Sequence, residues 1–204
     1  MKKKLLEIVA EIVIENLEKK FKKTKKLNGE QNNKTIKRKY LGKIYADLIT
    51  IIQQYPEEAP CDVLQGIDYG PRYSLENFDI VSKSLDYQIE DYVQSLKREY
   101  ADKNDINEQI NNRNYAKNKL AIIQKNYDKS KLEFDEFMQE NISMLDLYAG
   151  REVLNNLEEF KVVIYNVFIS GFSAYHEQDI SLGNTIKIVK MNLINSMRND
   201  LGIA

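Results

Sequence analysis

All three prolines of this 204-residue chain, Pro56, Pro60 and Pro71, fall between residues 56 and 73. Proline lacks an amide donor and breaks a helix interior, so everything outside that window is free to form long helices. The 8 glycines are too sparse to suggest a loop-rich β sandwich. Hydrophobic residues make up 43% of the chain, enough for a packed core. The expected class is all-α: a long antiparallel helical hairpin packed on a helical bundle.

The apolar spacing supports that class segment by segment. Over residues 3–23, Leu5, Leu6, Val9, Ile12, Val13 and Leu17 recur at three- and four-residue intervals, opposite a stripe of Glu7, Glu11, Glu15 and Glu18. This acidic polar face argues against a membrane-surface helix and for a protein partner. Residues 24–34 are polar, contain Gly29 and read as a linker. A second helix is expected from about Thr35 to Tyr55, carrying Ile36, Tyr40, Leu41, Ile44, Tyr45, Leu48, Ile52 and Tyr55 on one face. Gly42 inside it costs about 1 kcal/mol against Ala, and close packing against a neighbour would explain it. Residues 56–73 read as a corner, with Pro60 opening a short helix through Gln65.

Beyond the corner, Ser74 is the expected N-cap of a helix running to about Ala101, with Phe78, Val81, Leu85, Ile89, Tyr92, Leu96 and Tyr100 on its apolar face. A second rod is expected over Ile106–Glu140. Its seam, Ala116, Leu120, Ile123, Tyr127, Ser130, Phe134 and Phe137, follows a coiled-coil-like heptad spacing, with a serine in it. Before Ala116 the stripe fades into Asn, Gln and Arg, predicting a polar hairpin tip around 97–115. Residues 152–176 are expected to form a central helix buried on most faces. Val162–Ile169 is rich in β-formers, but no second segment supplies a partner strand. The last helix is placed at about 181–200, with Gly202 as its C-cap. The expected organisation is an N-terminal basic helical hairpin over 1–55, the Pro/Gly corner over 56–73, and a main helical domain over 74–204 that contains the long hairpin 75–140.

Charge narrows the function. The net charge of −1 hides an asymmetry: residues 1–43 hold 14 Lys or Arg against 5 Glu, whereas the remainder is acidic. A basic front on an acidic body suits self-complementarity or a polyanion. The polyanion reading assigns phosphate contacts to Lys22, Lys23, Lys25, Lys26, Lys37, Arg38, Lys39 and Lys43, with Tyr40 and Tyr45 available for stacking unless the apolar face claims them.

Reactive chemistry is scarce. With 1 Cys and 1 His the chain lacks a disulfide framework, a multi-cysteine metal site and a His–His metal pair. Neither phosphate-loop glycine pattern is present, nor an Asp/Asn calcium loop, nor the paired Glu-x-x-His of a di-iron bundle, nor the Arg followed at four to six residues by His that a HEPN-type ribonuclease needs. His176, near Glu177 and Asp179, is the one candidate general base, set against a helix-end histidine. Cys61 at a helix start is read as a small packed residue. No stretch reaches the roughly 20 apolar residues of a membrane span, and Glu7, Glu11 and Glu15 interrupt any signal-like run. No cofactor, metal or membrane contact is expected, and a reducing cytoplasm suits the lone thiol. The abundance of Asn, Lys, Ile and Tyr fits a low-GC bacterium or its phage or mobile element. The expected function is a non-enzymatic protein-interaction protein (adaptor, inhibitor or regulator), with partner contacts through Leu6, Val9, Val13 and Leu17. The alternatives are nucleic-acid binding through residues 19–43 and a hydrolase centred on His176.

Overall fold

The computed structural model describes residues 39–73, 78–98, 102–175 and 183–203. Among these the chain is all-helical, with six helices packed against one another and no strand beyond an isolated antiparallel bridge between Tyr175 and Asn184. The helices are α1 (39–54), α2 (Pro60–Leu64), α3 (Phe78–Ser95), α4 (Lys103–Tyr148), α5 (Arg151–Phe168) and α6 (Thr185–Leu201). None of them is long and apolar enough to cross a membrane. The chain separates into two compact units, Met1–Lys43 and Ile44–Ala204. The expected helix over 3–23, the linker 24–34 and the Ser74 cap lie outside the described residues.

The prolines act where the sequence places them. Pro60 opens α2, where its missing amide costs no hydrogen bond. The corner then meets the hairpin in one apolar cluster, in which Leu64, Ile67 and Tyr73 pack with Val81 and Leu85 of α3 and Ala116 and Leu120 of α4. The hairpin is antiparallel. Lys117 reaches back to Asp86 at 2.5 Å, while Arg113, one turn earlier, reaches Gln88, further along α3.

Sequence spacing understates α4. The helix runs 46 residues, from the Asp102 cap, whose carboxylate accepts from Asn104 N and Asp105 N, to Tyr148. At about 1.5 Å per residue it extends near 69 Å. All seven expected seam residues are buried, and the buried line continues backward to Arg113 and Ile106 and forward to Leu145. The stripe therefore does not fade before Ala116. Arg113 holds the next seam position, three residues earlier, and Ile106 the one seven residues before that. The serine fits because Ser130 Oγ donates to Asn126 O within its own turn.

Three further expectations shift. The helix expected over 152–176 ends at Phe168, and the chain then turns through Gly171 at φ 74°. A Cβ on Gly171 would lie 2.2 Å from Tyr73 O, so only glycine lets the two backbones approach there. α5 is helical through its β-former run, but it is amphipathic rather than wholly buried. Val153, Leu157, Phe160, Ile164, Val167 and Phe168 face inward, whereas Val162 and Tyr165 are exposed. Gly42 gains nothing from close packing, since a Cβ there would meet no atom within 4 Å. α6 ends as expected on Gly202 at φ 66°, with the Ile203 N–H returning to Arg198 O at 2.9 Å.

Candidate functional site

Three polar or aromatic constellations stand out in the unit Ile44–Ala204. The first is Arg113, whose guanidinium is fully buried yet meets no carboxylate among the described residues. Nε donates to Gln88 Oε1 at 2.8 Å, Nη1 to the backbone and side-chain oxygens of Gln109, and Nη2 to Asp68 O at 2.7 Å. The Tyr92 ring covers the cation at 4.6 Å. The rigid fork thus ties the corner, α3 and α4 together. With its donors turned inward, it serves as a brace rather than a ligand anchor.

The second constellation is a polar groove of about 660 Å³ between the corner, α4 and the start of α6, lined by Glu57, Glu58, Asp62, Lys119, Asn184 and Lys187 among others. Its lysines and glutamates are paired with one another. Lys119 meets Glu58 at 2.8 Å, and Glu57 meets Lys187 at 3.3 Å and Lys190 at 3.7 Å. Asn184 caps α6 by accepting from Lys187 N and donates its side-chain amide to Glu57 O. Lys190 is buried and gives Nζ to Tyr55 O at 2.7 Å; burial holds its pKa below the ordinary lysine value, with Glu57 opposing the shift. The groove reads as an electrostatic clasp. The inner oxygen Asp62 Oδ1 is buried without a partner among the described residues, while Oδ2 accepts from Ala174 N.

The third is an aromatic groove of about 290 Å³ between α4 and α5. Its floor is Tyr55, Tyr127, Phe134 and Phe160, with Tyr55 edge-on to the other three at 5.4–6.3 Å. Tyr127 stacks on Phe168 at 4.8 Å. Lys131, Asp135, Lys161 and the exposed ring of Tyr165 form the rim. Burial pushes the Tyr127 phenol up to about 12 and raises Tyr55 further, with Asp135 adding to both.

Most residues singled out from the sequence are not in these grooves. Leu6, Val9, Val13, Leu17, Lys22, Lys23, Lys25, Lys26, Lys37 and Arg38 lie outside the described residues, as does His176. Lys39 and Lys43 are exposed on α1, as is Tyr40. Tyr45 is not available for base stacking: it is buried, and its hydroxyl donates to Asp200 Oδ2 at 2.7 Å. Cys61 is half-buried beside Arg72 and Tyr73 in a further groove of about 370 Å³. Among the described residues no group of three or more His, Cys, Asp or Glu is placed to hold a metal. Sequence reading passed over Arg113 and Lys190 because cations are expected on solvated faces. It took Tyr127 and Phe134 for seam residues, which they are, without the gap they border. Searched against family models, curated proteins and solved structures, the chain matches none of them.

Proposed function

We propose that this chain is a non-enzymatic helical interaction protein, an adaptor, inhibitor or regulator working in the cytoplasm of a low-GC bacterium or its phage. One observation carries the reading: Leu132 on α4 and Val162 and Tyr165 on α5 are each more than half exposed, as are Tyr115, Ile122 and Leu147 elsewhere on α4. Exposed apolar side chains set among charged ones suit contact with a partner helix. The surrounding charge selects the partner. Residues 131–148 and 151–168 together hold 3 basic and 8 acidic residues, so a basic amphipathic helix is the complementary occupant. Such a surface suits helix-face recognition without bond-making chemistry.

The test is site-specific photo-crosslinking in the native host from Leu132 and Val162, with exposed Lys125 on the same long helix as control. A basic helical partner is expected from the first two positions only. It should rebind when purified and be lost in Leu132→Glu. Equal labelling from all three positions, or a captured partner indifferent to Leu132→Glu, overturns the reading. A crosslinked second copy makes the contact homotypic and replaces the separate partner.

Exposed Lys39 and Lys43 support a second reading, nucleic-acid binding through the basic segment 19–43. It requires a mobility shift at about 50 mM salt that weakens steeply with added salt, with a shallower salt slope in Lys37→Ala and Arg38→Ala. No shift at low salt removes it.

A further inference from the structure

We propose that the aromatic groove between α4 and α5 is a binding pocket for a small uncharged aromatic molecule bearing one hydrogen-bonding group, of the phenol or indole type. The inference rests on a contrast among buried tyrosines. Tyr45 and Tyr73 satisfy their hydroxyls inside the protein, on Asp200 Oδ2 at 2.7 Å and Gln124 Oε1 at 2.8 Å. Tyr55 and Tyr127 are equally buried as whole residues, 4% and 3% exposed, yet their hydroxyls make no hydrogen bond among the described residues and are not closed off from solvent. Both line the groove. A core tyrosine ordinarily gives its hydroxyl to a protein group, and here only what occupies the groove can take that place. These two are held among aromatic rings beside open volume, with hydrogen-bonding capacity left over.

The rim decides the charge of the ligand. Lys131 is paired with Asp135 and Lys161 with Glu158, so the charged groups at the mouth are neutralised and the hydroxyls remain the unpartnered polar groups. With the mouth neutralised in this way, neither a carboxylate nor a cation finds a free counter-charge there. The walls favour a flat ring, since Tyr55, Phe134 and Phe160 already stand edge-to-face or tilted to one another and a further ring extends that arrangement. A volume of about 290 Å³ lies at the small end of ligand pockets and holds one or two rings.

The chain contains no Trp, so indole fluorescence reports binding to the full-length protein without background. Indole and p-cresol are expected to saturate with Kd about 0.1–1 mM, appropriate to about ten heavy atoms. The isosteric variants Tyr55→Phe and Tyr127→Phe should retain the fold, checked by circular dichroism. Each should weaken indole and p-cresol by about fivefold while leaving toluene binding unchanged. Absence of saturable binding by the folded wild-type chain overturns the proposal. So does a double phenylalanine variant that binds indole as the wild type does. Benzoate binding as tightly as p-cresol overturns the uncharged class.

Discussion

At the scale of single residues, the side chain that departs furthest from its usual setting is Arg113. A buried cation carries a desolvation cost that is tolerable only when its donors are occupied. Here the acceptors are Asp68 O and two glutamines, with an aromatic face beside them. Arg113→Met keeps the volume and removes the cation, but strands Asp68 O and Gln88 Oε1. The expected loss is about 1–3 kcal/mol in the urea unfolding free energy. Arg113→Lys should recover only part of it, because a single ammonium cannot serve oxygens spread over three elements. A loss below about 0.5 kcal/mol for Arg113→Met would show that water takes over these acceptors and that the brace is dispensable.

At the scale of elements, α1 contains a residue that its own surroundings do not require. Gly42 lies within the helix, and no atom stands where its Cβ would go. Gly42→Ala should therefore stabilise the protein by about 0.5–1 kcal/mol, read as a higher urea midpoint at unchanged slope. An unchanged or lower midpoint would mean that this helix is not formed in solution at residue 42. α4 teaches the complementary lesson. Its length comes from the Asp102 cap at one end and an unbroken buried line through Leu145 towards the other. Its first turns hold because Ile106 and Arg113 are buried, although the residues around them are polar.

For the unit Ile44–Ala204 as a whole, the core is unusually phenolic. Tyr45, Tyr55, Tyr73 and Tyr127 all have pKa values raised, chiefly by burial. A group whose folded pKa lies above its unfolded value contributes stability that is complete below the unfolded value and is lost as pH rises towards the folded one. For tyrosine that loss begins near pH 10. Lys190, with its pKa lowered by burial, works in the opposite sense, since alkali relieves the cost of burying its charge. One lysine does not offset four phenols. The unfolding free energy should fall between about pH 9 and pH 11. At the higher pH the phenolate absorbance of the folded chain should stay short of the value for all 13 tyrosines until guanidinium is added. Full phenolate absorbance in the still-folded chain at about pH 11 would contradict burial as the cause.

The sequence by itself determined the helical class, the corner and the seams, because proline placement and three-four spacing act locally and need no knowledge of neighbours. Pro60, the α4 seam from Ala116 to Phe137 and the Gly202 cap were all legible in this way. The pattern also held the Arg113 position, one step before Ala116, but residue type concealed it: an arginine enters a seam only if another element brings acceptors to it, and the backbone of Asp68 does so. Only tertiary structure left Val162 and Tyr165 outside, satisfied Tyr45 through Asp200 and opened a groove beside Tyr55 and Tyr127. Those outcomes depend on which surfaces meet between elements far apart in the chain, and spacing along a single helix carries no information about them.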